Sequence, residues 1–416
     1  MTGILSGLRV LDFCWVGAGA LVTQTLALHG AEVIKIESRA RPDNLRVAPP
    51  VRPGTGGLDA SGYFASRNAN KKSFALNMRH PAASGLALRL ARLSSVVTSN
   101  FRPGVMERWG LGYDDLRVHQ PGLIYLTMPM QGTTGPNKDY AGFGSTIAAL
   151  AGLMEPSGLP GRAPVGTGTH YPDHVPNPGH ALVALLAAIV HRNRTGRGGR
   201  IELSQFESTV SLVGPAIIRY SVTGEQPPRQ GNRVPDAAPH GVYPCAGEDT
   251  WIAISVRADP EWARLASVLV AAGPPAAAGP PAAVPGLSDQ RFAAAVGRKH
   301  HEAELDALLA VATAHWDRWE LMRRLQEAGV PASVVETAAD VFDDPVLADR
   351  GYWRTLDHPV MGLVRSAAAP HLWDGAPVRP TSPAPLLGQH TEEISRDLLG
   401  LSAAEYRQLV AEEVLW

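Results

Sequence analysis

The chain has 416 residues, enough for two or three domains and a sizeable core. Hydrophobic residues make up 45% and charged residues 19%, a balance that excludes intrinsic disorder. With 38 basic against 39 acidic side chains and a formal net charge of -1, there is no basic excess for bulk nucleic-acid binding, so any anion must be recognised locally.

The first element is a buried strand over 8–13, bounded by Gly7 and Gly17. Residues 18–29 read as a helix closed by Gly30, and 32–37 as a second strand. Strand, helix and strand within about thirty residues make a βαβ unit, which predicts a parallel sheet. A helix over 81–93, a strand over 95–98, a short helix over 105–109 and a strand over 123–127 continue the alternation. The pattern predicts a doubly wound α/β domain. An apolar helical run at 181–190 is followed by a strand at 200–203. A polar, Gly/Pro-rich linker at 223–235 then changes the composition. A hairpin over 241–255 and helices near 261–270, 301–312 and 317–328 describe a smaller α+β domain. Within it, the Pro/Ala segment 273–286 reads as an exposed loop without a catalytic role. From Val334 the chain is expected to rejoin the first domain, with an extended Pro-rich passage over 370–385 and closing helices over 391–399 and 403–413. The expected division is therefore 1–222, 223–333 and 334–416.

Cys14 and Cys245 are too few for a disulfide framework or a metal cluster, and Cys14 reads as a small buried residue. The first residues lack the charged start and apolar core of a signal peptide, and the run 181–190 is too short to span a bilayer. A cytoplasmic protein without membrane association is expected.

Several loops carry candidate chemistry. Val16, Gly17, Ala18 and Gly19 follow the first strand and suggest a dinucleotide-binding turn, with Glu37 as the ribose acid. The full pattern requires glycine at 22, where this chain has Val22. What survives is that backbone N–H groups of this turn can approach a ligand closely. Arg39 stands past the second strand, Lys71 and Lys72 lie in NANKKSFAL at 68–76, and Asn100, Phe101 and Arg108 follow the strand at 95–98. In a parallel sheet these loops converge at the carboxyl ends of the strands. Their cations, amides and aromatic ring suit a phosphorylated nucleotide with its purine stacked, although any one of them can equally be part of a solvated rim.

Asp173 lies in GTHYPD at 168–173, on a Gly/Pro-rich loop before the apolar helix. A carboxylate there can cap the helix, the commoner role, or act as a nucleophile poised at its positive end. His170 and His174 flank it, but no third ligand stands at a telling spacing and no metal site is expected.

Taken together the motifs resemble the class III coenzyme A transferases of the CaiB/BaiF type, the group containing formyl-CoA transferase, carnitine CoA-transferase and benzylsuccinate CoA-transferase, with alpha-methylacyl-CoA racemase as a relative. The matching runs are GLRVLD at 7–12, GAEVIKIE at 30–37, NKKS at 70–73, NFRPG at 100–104, RTGRG at 194–198, PHGVY at 239–243 and LGQHT at 387–391. They span nearly the whole chain in family order. The resemblance implies a large Rossmann-like domain built from both chain ends, a small central domain, and an interlocked homodimer. It implies Asp173 as the catalytic aspartate and coenzyme A, brought as an acyl-CoA donor, held by Val16, Arg39, Leu76, Asn100, Phe101 and Arg108. Backbone groups near Gly17 and Ala18 are expected to contribute at the same turn. A tyrosine that helps hold coenzyme A in formyl-CoA transferase falls at Gly144, and the glycine-rich flap of that enzyme has no clear counterpart at 239–243.

The implied reaction passes coenzyme A from an acyl-CoA to a carboxylic acid acceptor through a mixed anhydride and an aspartyl-CoA thioester on Asp173, without metal or ATP. A racemase of the same fold is the nearest alternative, and it requires two acid–base groups flanking the alpha carbon. The racemase carries a His-Asp pair where this chain has Phe143 and Gly144, and phenylalanine moves no proton. A non-catalytic coenzyme A-binding protein and an intramolecular transferase are further alternatives. The wording YPDH at 171–174 is nearer to transferases acting on dicarboxylates or aromatic acids than to the formyl enzyme.

Overall fold

The structure, a computed structural model, describes residues 3–271 and 284–416. Most of the Pro/Ala segment 273–286 lies outside the described residues. The chain forms two compact units. Met1–Glu155, Val165–Pro227 and Pro345–Trp416 make the first, and Pro156–Pro164 with Pro228–Asp344 make the second.

In the first unit, six parallel strands are β1 (Arg9–Phe13), β2 (Glu32–Glu37), β3 (Lys72–Ala75), β4 (Val96–Ser99), β5 (Ile124–Thr127) and β6 (Gly199–Glu202). Their order across the sheet is β3-β2-β1-β4-β5-β6, the order of a doubly wound nucleotide-binding fold, with its switch point between β1 and β4. The helices between them are α1 (Ala18–Leu28), α2 (Gly62–Asn68), α3 (Ala83–Arg92), α4 (Val105–Arg108), α5 (Tyr113–Arg117), α6 (Gly144–Leu150), α7 (Tyr171–His174) and α8 (Pro176–Thr195). Two more, α9 (Gln205–Val210) and α10 (Gly214–Thr223), follow β6.

The strands are apolar on both faces because both faces are covered. Leu11, Ile34, Val97 and Tyr125 pack with Leu86 and Leu90 of α3 and with Ile394 and Leu399 near the chain end. Their sequence neighbours Val10, Val33, Val96 and Ile124 point the other way and pack with Val22 and Leu26 of α1 and Leu185 and Ile189 of α8. Period-two alternation thus distributes one run of β-branched residues between two cores.

The second unit holds an antiparallel sheet of β7 (His240–Pro244), β8 (Trp251–Ser255) and β9 (Ala332–Val334), in that order. Helices α11 (Asp259–Ala271), α12 (Ala295–His300), α13 (Glu302–Thr313), α14 (Arg318–Glu327) and α15 (Ala338–Asp343) accompany it. Leu265, Phe292, Leu305 and Trp316 form its core. This unit continues past Val334 to Asp344. The reason is local: β9 pairs with β8, and Arg318 of α14 grips Asp340 of α15 at 2.8 Å.

The chain then returns to the first unit through α16 (Pro345–Asp349), the hairpin β10 (Trp353–His358) and β11 (Gly362–Ala367), and the helices α17 (Thr391–Asp397) and α18 (Ala403–Ala411). This late segment covers the outer side of β3. Ser73 N–H donates to His390 Nδ1 at 3.2 Å, and Ala75 N–H donates to Thr391 Oγ1 at 2.9 Å. Gly388 N–H returns a bond to Ser73 Oγ at 2.9 Å.

Candidate active site

The loops leaving β1 and β4 meet at the switch point of the sheet. They are tied by a reciprocal pair: Trp15 N–H donates to Asn100 Oδ1 at 2.9 Å, and Asn100 Nδ2 donates to Trp15 O at 2.6 Å. The Phe101 ring meets the Trp15 ring edge-on at 5.1 Å, and the Arg41 guanidinium lies over Trp15 at 5.9 Å.

Next to Trp15, Val16 adopts a left-handed backbone with φ 63°, a costly conformation for a β-branched residue. Buried polar contacts hold it there. Val16 N–H donates to Asp43 Oδ1 at 3.1 Å, and Lys35 Nζ bridges Asp43 Oδ2 at 2.9 Å to Cys14 O at 2.8 Å. Beneath them Asp12 accepts from Thr23, Thr98, Lys71 and the Cys14 N–H, and all of these groups are shut away from solvent. The neighbouring Lys71 and Lys35 charges lower the Asp12 carboxyl even though burial, the largest influence on it, opposes them. Lys71 therefore belongs to the scaffold and not to a ligand rim. Lys72 likewise is engaged by Glu32 and Glu393.

Glu37 is no ribose acid. It is 1% exposed and takes a two-pronged bond from Arg46, at 2.7 Å from Nε and 2.6 Å from Nη2. A carboxylate held in this way is already satisfied.

Two cavities flank this loop pair. One of about 520 Å³ is lined by Phe13, Trp15, Arg41, Leu76, Phe101 and Arg108, among others. The other, of about 340 Å³, is lined by Val16, Gly17, Ala18, Asn100, Phe101 and Asp173, together with Lys138, Tyr140 and Phe143. Trp15, Arg41, Phe101 and Arg102 line both, so the two are halves of one groove. Its outer half offers aromatic faces and arginines, and its inner half ends at Asp173.

Asp173 is 7% exposed and sits on the short turn α7. It does not cap α8, whose N-terminus has no side-chain cap. Its hydrogen-bond donor is the backbone N–H of Gly144, the first residue of α6. Gly17 and Gly144 press directly on the carboxyl. A Cβ at Gly144 would lie 2.7 Å from Asp173 Oδ2, and one at Gly17 would lie 2.8 Å from Asp173 Cβ. Burial pushes the carboxyl up to about 6, against the pull of His170 and the Gly144 bond. Next door, burial and then the Arg67 and His170 charges push His174 down to about 4, so its ring is neutral at pH 7. Arg67 donates to the His174 Nδ1 at 3.2 Å and lies over the Tyr63 ring at 5.8 Å. Among the described residues no group of three or more His, Cys, Asp or Glu is arranged to hold a metal.

Of the residues singled out from sequence, the groove gathers Val16, Gly17, Ala18, Leu76, Asn100, Phe101, Arg108 and Asp173 along its walls. Arg39 stands outside it. Arg39 is exposed, its N–H is bound to Trp416 O, and Arg41 two residues later takes the place beside Trp15. Sequence reasoning also passed over Trp15, Lys138, Tyr140 and Arg67. Tyr140, four residues before Gly144, lines the inner half of the groove. Arg41 and Trp15 were within reach of the same argument that selected Arg39 and Val16, since both lie on the loops after the strands. Arg67 carried no such signal.

The chain matches the family model for CoA-transferase family III over residues 5–391. It is 34% identical over 411 residues to "Succinyl-CoA--D-citramalate CoA-transferase" of Chloroflexus aurantiacus, covering 99% of this chain and 98% of that protein. It is 33% identical over 398 residues to "Succinyl-CoA:mesaconate CoA-transferase" of Haloarcula marismortui, covering 94% and 96%. Among solved structures it is similar to a CAIB/BAIF family protein from Brucella suis, with a TM-score of 0.84 at 30% identity over 96% of this chain and 100% of that one.

Proposed function

This chain belongs to CoA-transferase family III, an enzyme family that moves coenzyme A between acyl-CoA thioesters and carboxylates, and from that membership we propose that Asp173 carries the transfer covalently. The observation that bears this reading is a buried carboxyl lining the inner half of the groove, pressed between two glycines and facing one backbone N–H.

In the first step an Asp173 carboxylate oxygen attacks the donor thioester carbonyl. The C–S bond breaks, and the coenzyme A thiolate leaves behind an acyl-aspartyl anhydride. The thiolate then attacks Cγ of Asp173, and the bond from Cγ to the bridging oxygen breaks, so that oxygen leaves with the donor acyl group. The donor departs as a free carboxylate, leaving an aspartyl-CoA thioester. The acceptor carboxylate attacks the same Cγ and expels the thiolate, which attacks the acceptor carbonyl to give the new acyl-CoA and free Asp173. Each step exchanges one carboxylate or thiolate for another, so no proton is gained or lost. The neutral His174 and the absence of a second acid–base group in Phe143 suit that balance. Low exposure of Asp173 keeps water from the anhydride. In this reading the Gly144 N–H, with backbone groups of the Gly17–Ala18 turn, bears the oxyanion.

The outer half of the groove is the proposed seat of coenzyme A, with Trp15 and Phe101 for the purine and Arg41, Arg102 and Arg108 for the phosphates. Arg39 was expected among these contacts, and in this reading Arg41 replaces it.

A homodimer is proposed as the working form. Val183 and Val190 of α8 and Ile218 and Val222 of α10 are exposed, Val183 at 71% and Val222 at 78%. A second copy is the occupant expected on such apolar surface, and interlocking of the two chains rests on the family resemblance. No helix among the described residues is long and apolar enough to cross a membrane.

The decisive experiment supplies a panel of acyl-CoA donors and free acids and reads new thioesters by mass spectrometry. Wild type is expected to transfer. Asp173→Ala is expected to lose transfer, and hydroxylamine is expected to yield a hydroxamate at Asp173 when donor alone is present. Transfer by Asp173→Ala at the wild-type rate would remove Asp173 from the mechanism.

A further inference from the structure

Arg67 is a half-buried cation with no counter-ion among the described residues. Its Nη2 donates to the neutral His174 ring at 3.2 Å, and its Nη1 reaches Ser66 O only at 3.4 Å. Its Nε is buried and has no hydrogen-bond partner. Arg46, on the helical turn Asn44–Val47, shows what a satisfied guanidinium looks like here: it has Glu37 on one side and Asp59 on another. Removing a guanidinium from water without an anion is unfavourable, and an unused buried N–H adds to that.

The surroundings narrow down the anion. His174 and Tyr63 are both neutral, and burial pushes the Tyr63 phenol further up. The Tyr63 phenol feels both the Arg67 and the Asp173 charges, and its ring stands 5.8 Å from the Arg67 guanidinium and 6.4 Å from the His174 ring. Asp173 and His174 are consecutive on one turn. Arg67 is thus linked to the residue that bears the reacting carboxyl through its contact with His174. In the reading above the coenzyme A phosphates take other partners: Arg108 lines the outer half of the groove, Arg41 and Arg102 line both halves, and Arg67 lines neither.

We propose that Arg67 receives the second carboxylate of a dicarboxylic substrate, whose first carboxyl reacts at Asp173, and so selects short diacids over monoacids. This rests on the transferase reading above. The Nε edge of the guanidinium presents the paired donors that a planar carboxylate takes. Both donor and acceptor pass through the same acyl position, so one arginine serves both half-reactions.

The test compares succinyl-CoA with butyryl-CoA, donors of equal chain length that differ in the terminal group, on wild type, Arg67→Gln and Arg67→Lys. The wild type is expected to prefer succinyl-CoA in kcat/KM. In Arg67→Gln that preference ratio is expected to fall roughly 10- to 100-fold, mainly through the KM for succinyl-CoA. Arg67→Lys is expected to retain part of it, since the charge survives and the fork does not. Coenzyme A affinity and thermal midpoint, measured in parallel, separate this from misfolding. Equal losses with both donors would reduce Arg67 to a structural role and overturn the inference, as would a partner-subunit carboxylate found on Arg67. Wild type that uses both donors equally leaves the transferase reading intact and sinks this one. Wild type that uses no donor with any acid sinks both.

Discussion

Asp173→Asn should make the protein more stable and inactive at once, and the gain should depend on pH in a defined way. Asparagine keeps the shape and still offers an oxygen to the Gly144 N–H, so the change removes the ionisable proton and little else. In the native protein burial lifts this carboxyl from 3.8 to about 6. A displacement of that size corresponds to about 3 kcal/mol at neutral pH, since each pH unit is worth about 1.4 kcal/mol. A raised carboxyl holds its proton more tightly when folded than when unfolded. Below about pH 4 the group is protonated in both states and the two proteins should be equally stable. Between about pH 4 and 6 the unfolded chain has released a proton that the folded one keeps, and wild type loses stability relative to the variant. Above about pH 6 the gap should level off near 3 kcal/mol per protomer in favour of Asp173→Asn. Urea denaturation at fixed protomer concentration from pH 4 to 8 measures it. The wild-type kcat/KM should fall about tenfold per unit below pH 6, because the nucleophile is the carboxylate. A gap that ignores pH, or that grows toward acid, would refute the argument from burial.

Three further outcomes follow from the same geometry. Gly144→Ala places a methyl 2.7 Å from Asp173 Oδ2, so the carboxyl must move, and kcat should fall roughly 100-fold with little change in coenzyme A affinity. Arg41→Ala and Arg108→Ala should raise the KM for the donor more than they lower kcat, and Arg41→Ala should do so more than Arg39→Ala; the reverse ranking in donor titrations would move the nucleotide away from Trp15. Dilution monitored by sedimentation should yield no folded monomer, whereas a compact active monomer would dismiss the interlocked dimer.

The sheet was legible because its strands are short runs of β-branched residues separated by amphipathic helices, and the boundaries over 9–37 agree within a residue or two. The site was legible where chemistry and chain position coincide, as at Asp173, Asn100 and Phe101. It failed where a side chain's partner is distant in sequence. Glu37 reads as a free acid until Arg46 is seen closing on it, and Lys71 reads as an anion ligand until Asp12 is found beneath it. Asp173 seemed to belong to the helix it precedes, yet its donor comes from Gly144, on a segment with no periodic signal. Arg41 lost to Arg39 because a strand end specifies where a loop begins, not which of its side chains turns inward. The β10–β11 hairpin went unread because its turn, Pro359 to Met361, lacks the Asn-Gly or Asp-Gly signature of a tight hairpin.

The late covering of β3 has a consequence for the time at which the protein becomes safe. The bond from Ala75 to Thr391 joins residues 316 apart in sequence. At roughly 5–20 residues per second, synthesis takes on the order of 15–60 s to travel from one to the other. Throughout that interval the sheet can assemble from β1 to β6, but the outward N–H groups of Ser73 and Ala75 have no partner from their own chain. An edge strand left open in this way is a template for another strand. Lys72, at the start of the same strand just before those two positions, is a charge of the kind that discourages such pairing. The enzyme's hazard is thus set by the order in which its parts are made, and one lysine guards the edge until the end of the chain arrives.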